Sequence, residues 1–146
     1  AGFLLPLVTG LAVRRLGGGA ARLAGVGVVA AVPLVAAGIT TTQLACGIAV
    51  EAAAALLMAA SGMLAAWLHL RLAARDTAPA AARGLWAISG LSLAAGMVLA
   101  ALYGARSFLP VPGLDIGWMQ VSHGPLNAFG FGLAGVLGWR LADEGE

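Results

Sequence analysis

Apolar stretches of roughly 20 residues recur along this chain, and the short breaks between them carry its arginines. Five segments follow from that pattern: a partial helix over residues 1–13, then helices over about 23–39, 44–68, 85–103 and 117–141. Thr40-Thr41-Thr42-Gln43 predict a polar turn after the second segment. Residues 106–117, with Pro110, Pro112, Gly113 and Asp115, predict an irregular connection rather than a span. Pro6 predicts a possible kink in the first segment, and Pro33 is expected inside the second because neighbouring helices satisfy the backbone groups it frees. The expected fold is all-α, a polytopic transmembrane bundle of about four full helices after one partial N-terminal helix, in a single domain over 1–146.

The first apolar run meets Arg14-Arg15 after about 13 residues, which span only ~20 Å of a ~30 Å hydrocarbon core. A signal peptide carries its positive charge before the apolar stretch, and here the charge comes after it. The run therefore reads as the second half of a helix, and the chain as the C-terminal part of a longer protein whose N-terminal remainder is its expected partner.

The arginines orient the segments. Arg14, Arg15, Arg22, Arg71, Arg75, Arg83 and Arg140 fall at one set of helix ends, and of the 8 basic residues Arg106 alone falls at the other. The positive-inside rule makes the arginine-rich side cytoplasmic, so the chain start is expected outside and the C-terminus inside a cell inner (plasma) membrane. Trp67, Trp86, Trp118 and Trp139 all fall near expected membrane interfaces, as aromatic belts do.

Composition agrees with lipid as the surrounding solvent and expected partner. The chain is 61% hydrophobic and 10% charged, against about 25% charged in soluble domains. Its 22 glycines suit close helix approach in lipid, where packing drives association. Gly96, Ala100 and Gly104, and again Gly130, Ala134 and Gly138, form rows of small residues that predict helix contacts. A net charge of +2 gives no case for nucleic acid. A single cysteine, Cys46, excludes an internal disulfide and reads as a small packing residue. Two histidines and one cysteine leave no self-contained zinc site, so the metal and cofactor content stays open.

Chemistry is expected where polar groups interrupt oily helices, because such groups are costly in a bilayer and are placed there with partners. Gln120, His123 and Asn127 recur at helical spacing in the last segment. Glu51 lies about seven residues into the third segment from its outer end, ~10 Å deep, and His123 about six residues into the last, ~9 Å deep. Equal depth allows Glu51 and His123 to meet and share a proton, which lowers the cost of burying each. The same groups equally suit a second role as interhelical glue. Gly124-Pro125 predict a kink beside His123, since Pro125 brings no N–H to the carbonyl of Val121. Tyr103 and Arg106 read as outer-end anchors within reach of such a cavity. His69 reads as an interfacial residue near Arg71.

The stretch His123-Gly124-Pro125-Leu126-Asn127-Ala128-Phe129-Gly130-Phe131, followed by Gly135-Val136-Leu137-Gly138-Trp139, resembles the closing motif of YndJ-like membrane proteins, a form of HG-x-x-NA-x-GF with a downstream LGW. Ala1-Gly2-Phe3-Leu4-Leu5-Pro6-Leu7 is similar to the stretch that follows a His-x-His-Tyr motif in that family. The middle of the chain matches mainly as apolar helix, apart from Glu51. The resemblance implies that His123 and Asn127 belong to the family's motif and that upstream histidines complete a metal or proton site with them. It implies no settled activity, since the transporter label on such proteins rests on topology.

Three functions are open from the sequence. The leading expectation is a transporter-like protein with a polar site in the outer half of the bilayer, formed by Glu51, His123, Asn127 and Gln120. One alternative is an intramembrane enzyme acting on a lipid or isoprenoid-like substrate, with His123 or Glu51 as acid–base group. The other is a non-catalytic assembly or sensor subunit.

Overall fold

The structure, a computed structural model, describes residues 3–44 and 47–144. Among them all regular structure is helical: α1 (Leu4–Leu16), α2 (Gly18–Gln43), α3 (Ile48–Arg75), α4 (Ala80–Gly104), α5 (Ile116–Pro125), a π-helical segment (Leu126–Leu133) and α6 (Ala134–Asp143). Three of these, α2, α3 and α4, are each long and apolar enough to cross a membrane. The last three elements follow one another without a break, so residues 116–143 form one helical path. The chain is thus an all-helical membrane-type bundle. Cys46 and the first residues of the partial helix, Ala1 and Gly2, lie outside the described residues.

Helix ends follow local chemistry. Pro6 stands in the first turn of α1, where its missing N–H has no intrahelical acceptor to serve, so no kink is needed. Gly17 and Gly18, at φ 64° and 86°, reverse the chain between α1 and α2, a backbone region that glycine enters without a Cβ penalty. The threonine run does not form the expected turn, because α2 continues through Gln43. The Thr40 hydroxyl donates to the Ala36 carbonyl (2.9 Å) and the Thr41 hydroxyl to the Gly38 carbonyl (2.9 Å), so two of the three hydroxyls are satisfied within the helix. Asp115 caps α5, its Oδ1 accepting from the Trp118 N–H at 2.8 Å.

Beyond Pro125 the ladder widens. The Ala134 N–H reaches the Phe129 carbonyl, five residues back, and the Ser89 hydroxyl of α4 donates to the Phe131 carbonyl at 3.0 Å. A wide turn of this kind is rare and turns carbonyls toward outside donors. The kink expected at Gly124-Pro125 is therefore a change of helix type.

Packing centres on α3 and α4. The first also packs against α2 and α1, the second against the π segment and α6, and α1 reaches across to touch the π segment. The core between them includes Val8, Val28, Leu68, Leu72, Leu93 and Phe131. Small residues set the approach distances. A Cβ on Gly38 would stand 2.9 Å from the Glu51 Cα, and one on Gly90 2.9 Å from the Ala66 carbonyl oxygen. Glycines 104 and 130 press on Ala55 and Ser92 in the same way, so the two rows of small residues lie at helix contacts.

Two aromatic expectations change. Trp86 and Trp139 turn into the bundle rather than onto its surface; both are buried, with ring centroids 5.0 Å apart at 56°. Trp67 and Trp118 remain on the surface, and the Arg71 guanidinium lies 4.7 Å over the Trp67 ring. His69 likewise turns inward. It is 0% exposed, its Nδ1–H donates to the Ala65 carbonyl (2.9 Å), and its ring meets Phe131 edge-on at 5.7 Å. The arginine-rich ends are tied together by Arg15, which forks onto both oxygens of Asp76 at 2.8 and 3.1 Å.

Candidate functional site

The polar groups gather in the half of the bundle away from the arginine-rich ends. Met119, His123 and Asn127 stand four residues apart, so each turn places the next above the last on the face toward α4. Gln120 lies about 100° further round and is exposed, lining neither of the chambers described below. Spacing alone groups Gln120 with His123; burial separates them.

His123 is held at both ring nitrogens. Nδ1 lies 3.0 Å from the Gly96 carbonyl and Nε2 lies 3.0 Å from Asn127 Nδ2. Asn127 Nδ2 also donates to the His123 backbone carbonyl at 2.9 Å. A carbonyl only accepts, so the Asn127 amide must present its nitrogen there, and the same NH₂ group then meets Nε2 as a donor. Nε2 is consequently the acceptor, and Nδ1 carries the hydrogen given to Gly96. The arrangement fits one neutral tautomer. Gly96 permits it sterically, since a Cβ there would stand 3.0 Å from Asn127 Nδ2.

Glu51 takes a different partner from the one its depth proposes. Its Oε1 accepts from Arg106 Nη2 at 2.9 Å, and Arg106 Nη1 donates to the Tyr103 carbonyl at 2.9 Å. The Arg106 guanidinium also stacks 4.1 Å over the Tyr103 ring. Glu51 lies in the first turn of α3, where a carboxylate also meets the positive end of the helix dipole. No hydrogen bond joins Glu51 to His123.

Both nevertheless face one space. A cavity of about 200 Å³ is bounded by Glu51, Tyr103, Met119 and His123. A second chamber of about 340 Å³ lies beyond His123 and reaches Asn127, Leu5 and Val32. The two share Val35, Ile39, Met58, Met97 and His123 as walls, so His123 stands at their junction. The walls are apolar, with α2 on one side and α5 on the other. This is the shape of a small-molecule site: a mostly apolar hollow with a few convergent polar groups.

Sequence reasoning treats Arg106 and Tyr103 as anchors, and the structure makes them the surroundings of Glu51. The signal available was charge, since Arg106 is the one arginine at that end. The Gly96 carbonyl and Met119 carried no comparable signal. Among the described residues, no three His, Cys, Asp or Glu side chains group closely enough to hold a metal ion.

No curated protein and no solved structure matches the chain. The family described as YndJ-like protein matches residues 1–131, a range that takes in His123, Asn127 and the motif through Phe131 and stops before the Leu137-Gly138-Trp139 stretch. With most of its length matched, this chain is a member of the YndJ-like family of proteins.

Proposed function

We propose that this is a transporter-like membrane protein whose two-chamber cavity is the binding site of a small solute in the outer half of the bilayer. The observation that carries the reading is that Glu51 and His123, on different helices, line one cavity at the arginine-poor end of the bundle. Polar groups held at one depth within apolar helices commonly mark a solute or proton path. In this reading Asn127 and His123 hold the solute. Glu51 carries the proton, and taking it up removes the charge that retains Arg106, coupling the ion pair to occupancy. Membrane lipid surrounds the bundle in the plasma membrane, and the C-terminus faces the cytoplasm because seven arginines lie on that side.

The test is to reconstitute the whole protein in vesicles and follow proton flux with an internal pH dye. Flux that persists unchanged in both Glu51→Gln and His123→Ala, with folding intact, would remove the reading.

A second reading has one specific support, the apolar walls of the cavity. They suit an intramembrane enzyme acting on a lipid-like substrate, with the His123 imidazole as acid–base group. Lipid turnover followed by mass spectrometry in the same vesicles separates the two.

A further inference from the structure

We infer that the molecule seated in this cavity is an amphiphile whose polar end donates a hydrogen bond, a hydroxyl or an amine, to Asn127 Oδ1, with its apolar chain along Val32, Val35, Met58 and Met97. The inference rests on reading the cavity as a ligand site and names the chemistry of the ligand.

Hydrogen-bond accounting leads to it. Both N–H groups of Asn127 go to His123, one to Nε2 and one to the backbone carbonyl. Both nitrogens of His123 are engaged, with Gly96 and Asn127. The amide cannot turn over without setting Oδ1 against the His123 carbonyl, acceptor against acceptor. Oδ1 is therefore left over. It takes no hydrogen bond from any described residue, although Asn127 is only 8% exposed and lies on the wall of the 340 Å³ chamber. Apart from His123, the side chains around it there are aliphatic or thioether.

Oδ1 is not sealed off, so a donor arriving with the ligand can reach it and gain a hydrogen bond that an acceptor-only ligand cannot. A lone water fits less well, because buried waters ordinarily make about three hydrogen bonds and this chamber supplies few polar partners. The chamber volume lies within the ~300–1,000 Å³ usual for small-ligand sites. The adjoining cavity is bounded by the Glu51 carboxylate, a further acceptor, and by Tyr103, whose hydroxyl both donates and accepts. At Asn127 Oδ1 the wall thus calls for a donor.

The experiment uses the whole protein in lipid nanodiscs and a twelve-carbon primary alcohol bearing a diazirine on its chain. Labelled peptides are mapped by mass spectrometry, with dodecan-1-ol and dodecyl methyl ether as competitors. The two share an apolar chain, and only the alcohol donates. The expected result is labelling on the peptides containing Met58 and Met97, with the alcohol competing about tenfold better than the ether. Equal competition by alcohol and ether in the unaltered protein overturns the donor inference and leaves the ligand site standing. Absence of any labelling at these peptides overturns the ligand site itself. The comparison of competitors in the unaltered protein does not depend on any variant folding.

Discussion

Asn127 grips His123 twice, at the ring Nε2 (3.0 Å) and at the backbone carbonyl (2.9 Å), and so sets which ring nitrogen carries the hydrogen. The residues stand one turn apart, where the helix passes from α5 into its π segment. The grip is local, but its consequence reaches α4 through the bond from Nδ1 to Gly96.

Replacing Asn127 tests that coupling. Asn127→Leu removes both bonds and frees the imidazole to change tautomer. We expect a loss of ~1–3 kcal/mol from the broken buried hydrogen bonds, read as a lower melting temperature in detergent. Asn127→Asp sets a carboxylate oxygen against the His123 carbonyl and should cost at least as much. An unchanged melting temperature in both would show that the pair carries no weight.

Gly96 should resist even alanine. A methyl group there would meet the Asn127 amide at 3.0 Å, so the amide must move and release His123. Gly96→Ala is expected to cost ~1–3 kcal/mol by overpacking and to reduce whatever activity the cavity supports. Gly84→Ala, on the same helix with open space around it, is the control and should be neutral or slightly stabilising.

The Glu51–Arg106 pair is partly exposed, so its direct contribution is modest. A double-mutant cycle with Glu51→Gln and Arg106→Gln should give a coupling of about 0.5–1 kcal/mol, falling as salt is raised. A coupling of zero would mean that the 2.9 Å contact holds nothing in place.

Asp76 gives a pH signature outside the spanning segments. The hydrogen bonds from Arg15 hold its carboxyl below the ordinary value of 3.8, and burial opposes them only in part. A depressed carboxylate stabilises the fold fully above its ordinary value and loses that contribution as pH falls through the lowered one. The stability gap between the unaltered protein and Asp76→Asn should therefore be widest near neutrality and close below about pH 4. A gap that widens on acidification would contradict the assignment.

His69 tests the packing of the core. Its Nε2 is buried without a hydrogen-bond partner, and its ring packs edge-on against Phe131. His69→Phe keeps a ring and removes the unmet nitrogen, but also loses the bond to Ala65 and adds bulk, so it should cost ~1–2 kcal/mol, less than a truncation. His69→Ala opens a cavity and should cost ~2–4 kcal/mol. A loss in His69→Phe as large as that in His69→Ala would contradict this account.

Helices were legible in the sequence because an apolar run of sufficient length in lipid has to satisfy its own backbone, and a helix does so within one segment. Arginine placement separated the two ends of the bundle, and counting residues put Glu51 and His123 at one level, where they line one cavity. The polar threonine run was misread because hydroxyls can bond back to the preceding turn, a choice that residue type leaves open. Facing directions were another matter. Which side of α3 meets α4, that Arg106 reaches Glu51, that Trp86, Trp139 and His69 turn inward, and that Gln120 turns out all depend on contacts between segments far apart in the chain. Spacing ranks positions along one helix, and only the packing of several helices decides which of their faces meet.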